Sequence, residues 1–298
     1  MELSDITIFL AVVEGGGISH ASKKLHTVQS NVSAHIKSLE DELGVSLFRR
    51  HARGMALTNA GEAFLPFAER IKGLMREAAQ VVGNDAEPVG TLAIGAMETT
   101  AGLRLPSILA AYAAECPRVD FTLVTGTSAE LSVMVMDHRL DGAFVCGPVE
   151  NDALAAEPAF IEELALVTAQ RYTEIRDAFD PSQRMLVMRN GCAYRDRLQR
   201  VFQDHGVSDP QVLEFGSVEG ILGCVAAGMG ITLFPVEVVT ASPRARGLRL
   251  HHLLAARARA ETVFVRRTDS VATPAMSQFL RHLQHADAPA KLRSAAPH

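Results

Sequence analysis

The sequence predicts an α/β protein fronted by an all-α winged helix, and three observations carry that prediction. Residues 19–39 read as two short helices across a tight turn, with a basic hairpin around Gly54 close behind. From Thr58 an apolar spacing of four and three continues for about three heptads. Beyond Gly90, short apolar strands alternate with helical stretches. The expected organisation is a winged helix-turn-helix over 1–58, a linker helix and hinge over 59–88, and a two-lobed domain over 89–298.

The opening helix is expected over 5–14, where Ile6, Phe9, Leu10 and Val13 share one face. Gly15-Gly16-Gly17 ends it. No strand precedes these glycines and the G-x-G-x-x-G spacing is absent, so they form a turn and not a phosphate loop.

Ser19 is the expected N-cap of the next helix, which runs through Ala21, Ser22 and Lys24 to Leu25. Thr27 is the expected cap of the third, its hydroxyl accepting from orphaned first-turn amides. Val28, Val32, Ile36 and Leu39 recur at four, four and three, making one apolar stripe. Gln29, Ser30, Ser33, Ala34 and Lys37 project from the opposite face, with Asn31 beside them. Short polar side chains, a cation and no acid suit base edges in a major groove, and Ala34 suits a thymine methyl. A generic helical hairpin carries the same stripe, so this stretch alone leaves both readings open.

The following residues separate them. Gly44 is expected to end the helix and 45–48 to form a short strand. Arg49, Arg50, His51 and Arg53 then surround Gly54 ahead of Met55, Ala56 and Leu57. That is a basic wing, and its arginines suit phosphate contact, which supplies affinity without reading sequence. The formal charge of the whole chain is −5, but the charge within 1–58 is segregated. Lys23, Lys24, Lys37, Arg49, Arg50 and Arg53 balance Glu2, Asp5, Glu14, Glu40, Asp41 and Glu42. The bases gather on the wing and recognition helix, the acids on the opening helix and the end of the third. Segregation supports double-stranded DNA as a partner.

Residues 3–65 resemble the winged helix of LysR-type transcriptional regulators. The matching pieces are Phe9-Leu10-Ala11-Val12, Ser19, Ala21, Leu25, Gln29-Ser30, Ser33, Ile36, Leu39-Glu40, Leu43-Gly44, Leu47-Phe48-Arg49-Arg50 and Leu57-Thr58-x-Ala60-Gly61. Asn31-Val32 departs from the family pattern, which bears on the bases read and not on the fold. The resemblance implies a homodimer or homotetramer, joined through the linker helix, that works with RNA polymerase.

In that linker helix Ala60, Phe64, Phe67, Ile71, Leu74, Ala78 and Val81 alternate spacings of four and three. A stripe this narrow predicts a coiled-coil seam with a second chain, centred on Phe64, Phe67, Ile71, Leu74 and Ala78. Pro66 is expected to bend the helix, and 84–88 to form the hinge.

Strands are expected at 91–95, 120–124, 142–146, 164–168, 185–188, 212–215, 231–234 and 262–266. Helices are expected over 102–114, from Ser128, and over 195–205, 219–227 and 274–284, with a frayed tail over 286–298. The alternation implies mostly parallel sheets. Lobe 1 is assigned 89–161 and 267–298, lobe 2 162–266. This pattern resembles the periplasmic-binding-protein-like effector domain of LysR-type proteins, as does the run from Ala226 to Pro235, with Gly228 as helix C-cap and Gly230 as a turn.

Ligands of such folds sit beyond the carboxyl ends of strands. The residues there are Met97, Glu98, Thr99, Thr100, Thr127, Ser128, Cys192, Tyr194, Arg195, Phe215 and Ser217. Helix N-termini, hydroxyls and Arg195 favour a small carboxylated effector with an apolar portion. Glu98 opposes it, or selects a ligand that also carries an amine.

No cofactor or metal is expected. His282 and His285 share a helical face without an evident carboxylate and read as solvated, and His251-His252 are uninformative. Cys116, Cys146, Cys192 and Cys224 read as reduced thiols; Cys192, near Arg195 and Arg197, is a candidate redox sensor against a default neutral loop thiol. No apolar run approaches the roughly 18 residues of a membrane span and no secretory signal opens the chain, so a cytoplasmic location is expected. An enzyme is disfavoured because no G-x-S-x-G or nucleophile-base pairing stands out. A solute-binding protein would have no use for 1–58.

Overall fold

In the computed structural model the chain divides into two compact units, one mainly of residues 1–84 and one mainly of residues 85–298. Described are all residues except 52–53, 83–86, 181–182, 190, 192, 255–257 and 295–298, and except the side chains of Arg50, Gln80, Val81 and 285–294.

In the first unit α1 (Leu3–Gly15) ends at Gly16, whose φ of 64° is one that glycine adopts without strain. Helix α2 (Ile18–Lys24) turns into α3 (Gln29–Leu43) through His26, also at positive φ. Phe9, Val12, Ala21, Val32, Ile36 and Leu39 form the shared core. Asp5 ties α1 to α3. It accepts the Glu2 amide at 2.7 Å and lies 2.7 Å from His35 Nδ1. Burial raises its carboxyl, but these partners outweigh burial and hold it below the usual range.

Both expected caps are corrected. Ser19 lies inside α2, which starts after Gly17. Thr27 does not cap α3; its hydroxyl receives Asn31 Nδ2 at 3.1 Å, and the helix begins after Val28 with no side-chain cap. Val28 leaves the core stripe and is 65% exposed. Its backbone is extended, so the helical spacing does not reach back to it.

The wing pairs β1 (Phe48–His51) with β2 (Gly54–Leu57). It starts at Phe48 and not at 45, because Glu40 Oε1 accepts the amides of Leu47 at 2.6 Å and Phe48 at 3.1 Å. The Thr58 hydroxyl caps α4 (Asn59–Val82) by accepting from the Gly61 amide. Gly61 is required there, since any Cβ would overlap the Leu47 carbonyl. The α4 assignment runs unbroken past Pro66, which is exposed. The expected seam is divided between two neighbouring stripes. Phe64, 5.1 Å from Phe9, and Ile71 pack into the unit's own core, whereas Phe67 and Leu74 are 60% and 57% exposed.

The second unit is built on β3 (Gly90–Ala96), β4 (Val119–Thr125), β5 (Gly142–Cys146), β6 (Leu154–Ala169) and β11 (Arg259–Arg267). Strands β4 and β5 run parallel to β3 on either side, and β11 joins β5 antiparallel. Alternate residues serve opposite faces. Leu92, Ile94, Phe144 and Phe264 meet α6 (Leu105–Glu115) and α11 (Pro274–Ser294). Ala93, Ala143, Val145, Val263 and Val265 meet α7 (Ser128–Met136). A short α5 (Glu98–Leu103) precedes α6.

Lobe 2 contains parallel β7 (Arg184–Met188) and β8 (Gln211–Phe215), with α8 (Ala193–Asp204) and α9 (Val218–Ala226). It also contains β9 (Thr232–Pro235), α10 (Val236–Ala241) and β10 (Leu248–His252). Strands β9 and β10 flank the second half of β6, antiparallel to it. The unit is therefore mixed, not mostly parallel as expected. The cause is β6 and β11, two long antiparallel strands that pass through both lobes.

Sequence periodicity missed β10 and α10 and the first ten residues of β6, 154–163. The helix expected over 102–114 is α6, and most of α5, which parts from it at Arg104, was missed. The last helix continues to Ser294, where a frayed tail was expected; residues 295–298 lie outside the described part.

Candidate functional site

On α3 the first turn carries no acid and no side-chain cap, and the Asn31 amide turns back to the Val28 carbonyl at 3.1 Å, so no side chain covers the positive end of the helix. Gln29, Ser30, Asn31, Ala34 and Lys37 are exposed around that end. Ser33 is half-buried and its hydroxyl donates back to the Gln29 carbonyl at 2.9 Å, which weakens its part in base reading. Exposed Val28 extends the face with an apolar contact that the stripe rule had placed in the core. On β1, Arg49 is exposed. The Arg50 side chain and the whole of Arg53 lie outside the described residues.

In the second unit a cleft of about 590 Å³, counting its open mouth, lies between the lobes. It opens at the carboxyl ends of four strands. Met97, Glu98 and Thr99 follow β3; Thr125 ends β4, and Gly126, Thr127, Ser128 and Glu130 follow it. From lobe 2 come Met188 and Arg189 after β7, Tyr194 on α8, Gly216 and Val218 after β8, and Phe234 on β9.

Six of the eleven residues expected from sequence line it: Met97, Glu98, Thr99, Thr127, Ser128 and Tyr194. Cys192 lies outside the described residues. Thr100 is fully buried behind the wall with its hydroxyl unpaired, and Phe215 packs against the lobe 2 core. The Ser217 hydroxyl caps α9 by accepting from the Gly220 amide at 3.2 Å. Arg195 is corrected outright: it pairs with Glu214 of β8 instead of facing the cleft. The cation that lines the cleft is Arg189. Sequence reasoning missed it although it follows an expected strand, the same signal that selected Met97.

Several hydroxyls credited to a ligand are already committed. Thr127 and Glu130 form a capping box on α7, with Glu130 Oε2 accepting the Thr127 amide at 2.9 Å and hydroxyl at 3.1 Å. The amide bond leads in holding the Glu130 carboxyl below its usual range, against some burial, helped by the hydroxyl and by Arg189. Ser128 Oγ accepts the Cys146 amide at 3.0 Å. Thr99 Oγ1, like that of Thr100, is buried and without a partner, and of the two only Thr99 lines the cleft. Across the cleft, Glu98 Oε1 accepts the amide of Val218, first residue of α9, at 2.9 Å. One lobe's carboxylate thus occupies the other lobe's helix terminus.

Comparison with known families places both units. Residues 3–62 match the model for the bacterial regulatory helix-turn-helix protein, lysR family, and residues 85–288 match the LysR substrate binding domain. The chain belongs to the LysR family of transcriptional regulators. It is similar to the HTH-type transcriptional regulator GltR of Bacillus subtilis, 38% identical across 95% of this chain and 96% of GltR. CzcR of Bacillus anthracis is 39% identical across 95% of this chain and 97% of its own length. Among solved structures, full-length CbnR complexed with its target DNA shares the fold at a TM-score of 0.67 and 22% identity, covering 96% of this chain and all of that one. Full-length BenM does so at 0.57 and 23%, covering 98% of each. As a LysR-type regulator this is a DNA-binding protein with an effector-binding domain.

Behind the cleft this LysR-type regulator buries Glu162 of β6. Its Oε2 accepts from the Tyr194 hydroxyl at 2.8 Å, while its Oε1 has no hydrogen-bond partner and lies 4.0 Å from Arg104 Nε. Arg104 pairs more closely with Glu237, at 2.7 Å. Burial pushes the Glu162 carboxyl above its usual range; Tyr194 and Arg104 pull it down without reversing the shift, and Glu237 adds to it.

The histidine expectation needs correction. His282 is not solvated: its Nε2 lies 2.8 Å from Glu115 and it is half-buried. The His285 side chain lies outside the described residues. His251 meets the Thr168 hydroxyl, and His252 meets Glu163. Among the described residues no group of three or more metal-ligating side chains gathers, and no helix is long and apolar enough to cross a membrane.

Glu162 makes stability depend on pH in a defined direction. The native pKa lies above the unfolded one, so stability falls as pH rises from the ordinary carboxylate value to the raised native value. Glu162→Gln keeps an acceptor for Tyr194 and removes the buried charge. Urea unfolding from about pH 4 to pH 8 is expected to show a shallower decline in the variant; an unchanged slope would mean that Glu162 is not the group responsible.

Proposed function

We propose that this regulator holds a small carboxylated metabolite between its lobes and reads DNA as a dimer through paired α3 helices. The observation that carries the ligand reading is the cleft itself. It lies beyond the carboxyl ends of four strands, with apolar walls, an unpaired buried hydroxyl on Thr99 and a cation, Arg189, at its lip. Lobe 1, residues 89–161 and 267–298, and lobe 2, residues 162–266, close on the ligand. Residues 1–58 bind DNA and 59–88 join the units. Transcription is controlled in the cytoplasm through contact with RNA polymerase, and the ligand is bound and released without chemical change.

On the helix, Gln29, Ser30, Asn31, Ala34 and Lys37 read bases, joined by Ser33 where its back-bond yields, while Arg49, Arg50 and Arg53 hold phosphates. The dimer seam is narrower than the heptad implies. Phe67, Leu74 and Ala78 are the exposed members and face the partner, whereas Phe64 and Ile71 serve the chain's own core.

Three outcomes test this reading. A thermal-shift screen with carboxylates, amines and neutral aromatics is expected to find carboxylates that stabilise the wild type but not Met188→Trp, whose indole fills the cleft. Equal stabilisation of both proteins would place the ligand elsewhere. Once genomic footprinting supplies an operator, Gln29→Ala should lose about 1–3 kcal/mol of discrimination at one base pair, and Arg49→Ala should weaken all DNA alike and lower the salt slope by about 1. Equal loss on operator and random DNA for Gln29→Ala would remove its reading role. In sedimentation, Phe67→Asp with Leu74→Asp should yield folded monomers, whereas Ile71→Asp should lower the melting temperature. A double variant that stays dimeric would move the seam off α4.

A further inference from the structure

The cleft carries a charge pattern that a simple anion does not match. Three charged residues line it among those described: Glu98, Glu130 and Arg189. Glu130 is spent on the α7 capping box, where Thr127 supplies both amide and hydroxyl to one carboxylate oxygen. One anion and one cation remain to face a ligand. A bare carboxylate would meet Arg189 but bring a second negative charge beside Glu98. A bare amine would meet Glu98 and leave Arg189, which already helps hold the Glu130 carboxyl below its usual range, without a ligand anion.

The N-terminus of α9, otherwise the natural seat for a ligand carboxylate, is not open to one. Glu98 Oε1 already takes the Val218 amide at 2.9 Å, from the opposite lobe. Among the described residues nothing donates to Glu98 Oε2. The ligand's carboxylate is thereby directed to Arg189 and to Thr99, whose hydroxyl is unpaired although the residue is only 7% exposed. Met97, Met188, Val218 and Phe234 supply the apolar part of the wall, beside Thr125, Thr127, Ser128 and Tyr194.

Resting on the reading of this cleft as the effector site, the geometry points to a zwitterion as its occupant: an α-amino acid with an apolar side chain. Its carboxylate pairs with Arg189 and Thr99, its ammonium with Glu98, and its side chain with the methionine and phenylalanine wall. Glu98 is then the residue that selects amino acids over the corresponding acids, while its other oxygen joins the lobes.

Isothermal titration of the full-length protein tests this with leucine, methionine and phenylalanine, each set beside its deaminated acid and its decarboxylated amine. The amino acid that binds should do so about ten-fold or more tightly than either truncated partner, since each truncation strands a charged group. Glu98→Gln, which keeps an acceptor for the Val218 amide, should bring the deaminated acid close to parity while leaving the amine weak. Arg189→Gln should do the reverse. A deaminated acid that binds the wild type as tightly as its amino acid overturns the zwitterion and leaves the carboxylate-binding cleft standing. Binding by amines alone overturns both. Silence from every compound also overturns this inference, and the Met188→Trp comparison then judges the cleft separately.

Discussion

The effector unit depends on the pairing of β6 with β11. These two strands are the only described ones to run through both lobes, and their register slips between Thr262 and Val263, leaving Ala159 as the extra residue of a bulge. On one side of the bulge β6 pairs β11 beside the lobe 1 sheet; on the other it gains β9 and β10 and becomes the spine of lobe 2. A bulge bends a strand and re-aims its side chains. Here it sends Phe160 into the lobe 1 aromatic cluster, 5.8 Å from Phe144, and buries Glu162 against Tyr194 of lobe 2. Lobes joined by two hydrogen-bonded strands can bend at the bulge but cannot slide without breaking the ladder.

The first unit was legible in sequence because its signals are local. A stripe of Val32, Ile36 and Leu39, a glycine stop at Gly44 and a two-stranded hairpin at 48–57 depend on neighbours within a few positions, and these appear where expected. The errors also have local causes. Ser19 and Thr27 are good capping residues, but α2 already starts after Gly17, and the turn between α2 and α3 places His26 in the left-handed region and bonds the Thr27 amide to Ser22, so α3 begins only after Val28. The α4 seam was over-read for a different reason. Spacings of four and three describe a stripe without saying which side another element of the same chain will cover, and Phe9 covers Phe64.

In the second unit β3, β4, β5, β7, β8 and β9 were legible, and β10 and the first part of β6 were not. Strand β10 has one buried residue in five, and β6 begins with Ala155, Ala156, Glu157 and Pro158, a poor strand former held by pairing with β11. The cleft followed from a topological rule, that parallel strands deliver their carboxyl ends to the ligand. The chemistry within it did not follow from residue type. Hydroxyls near helix starts were counted as ligand donors, yet Thr127, Ser128 and Ser217 are engaged in caps and a strand amide. Choosing between Arg189 and Arg195 required knowing that Glu214 stands opposite the latter across one turn of structure.

The bond between Glu98 and Val218 sets a condition on any effector. It joins the two lobes directly, and a charge-assisted hydrogen bond is typically worth about 1.5–3 kcal/mol. A ligand that leaves this bond intact and touches both lobes adds to the same arrangement. A ligand that competes for Glu98 weakens one link between the lobes as it makes others. Only the difference between its affinities for the two arrangements moves the equilibrium, and a shift from about 1:99 to 99:1 needs roughly 10⁴-fold preference. Glu98 both lines the cleft and bonds the opposite lobe, so what a ligand does to that bond enters the difference directly.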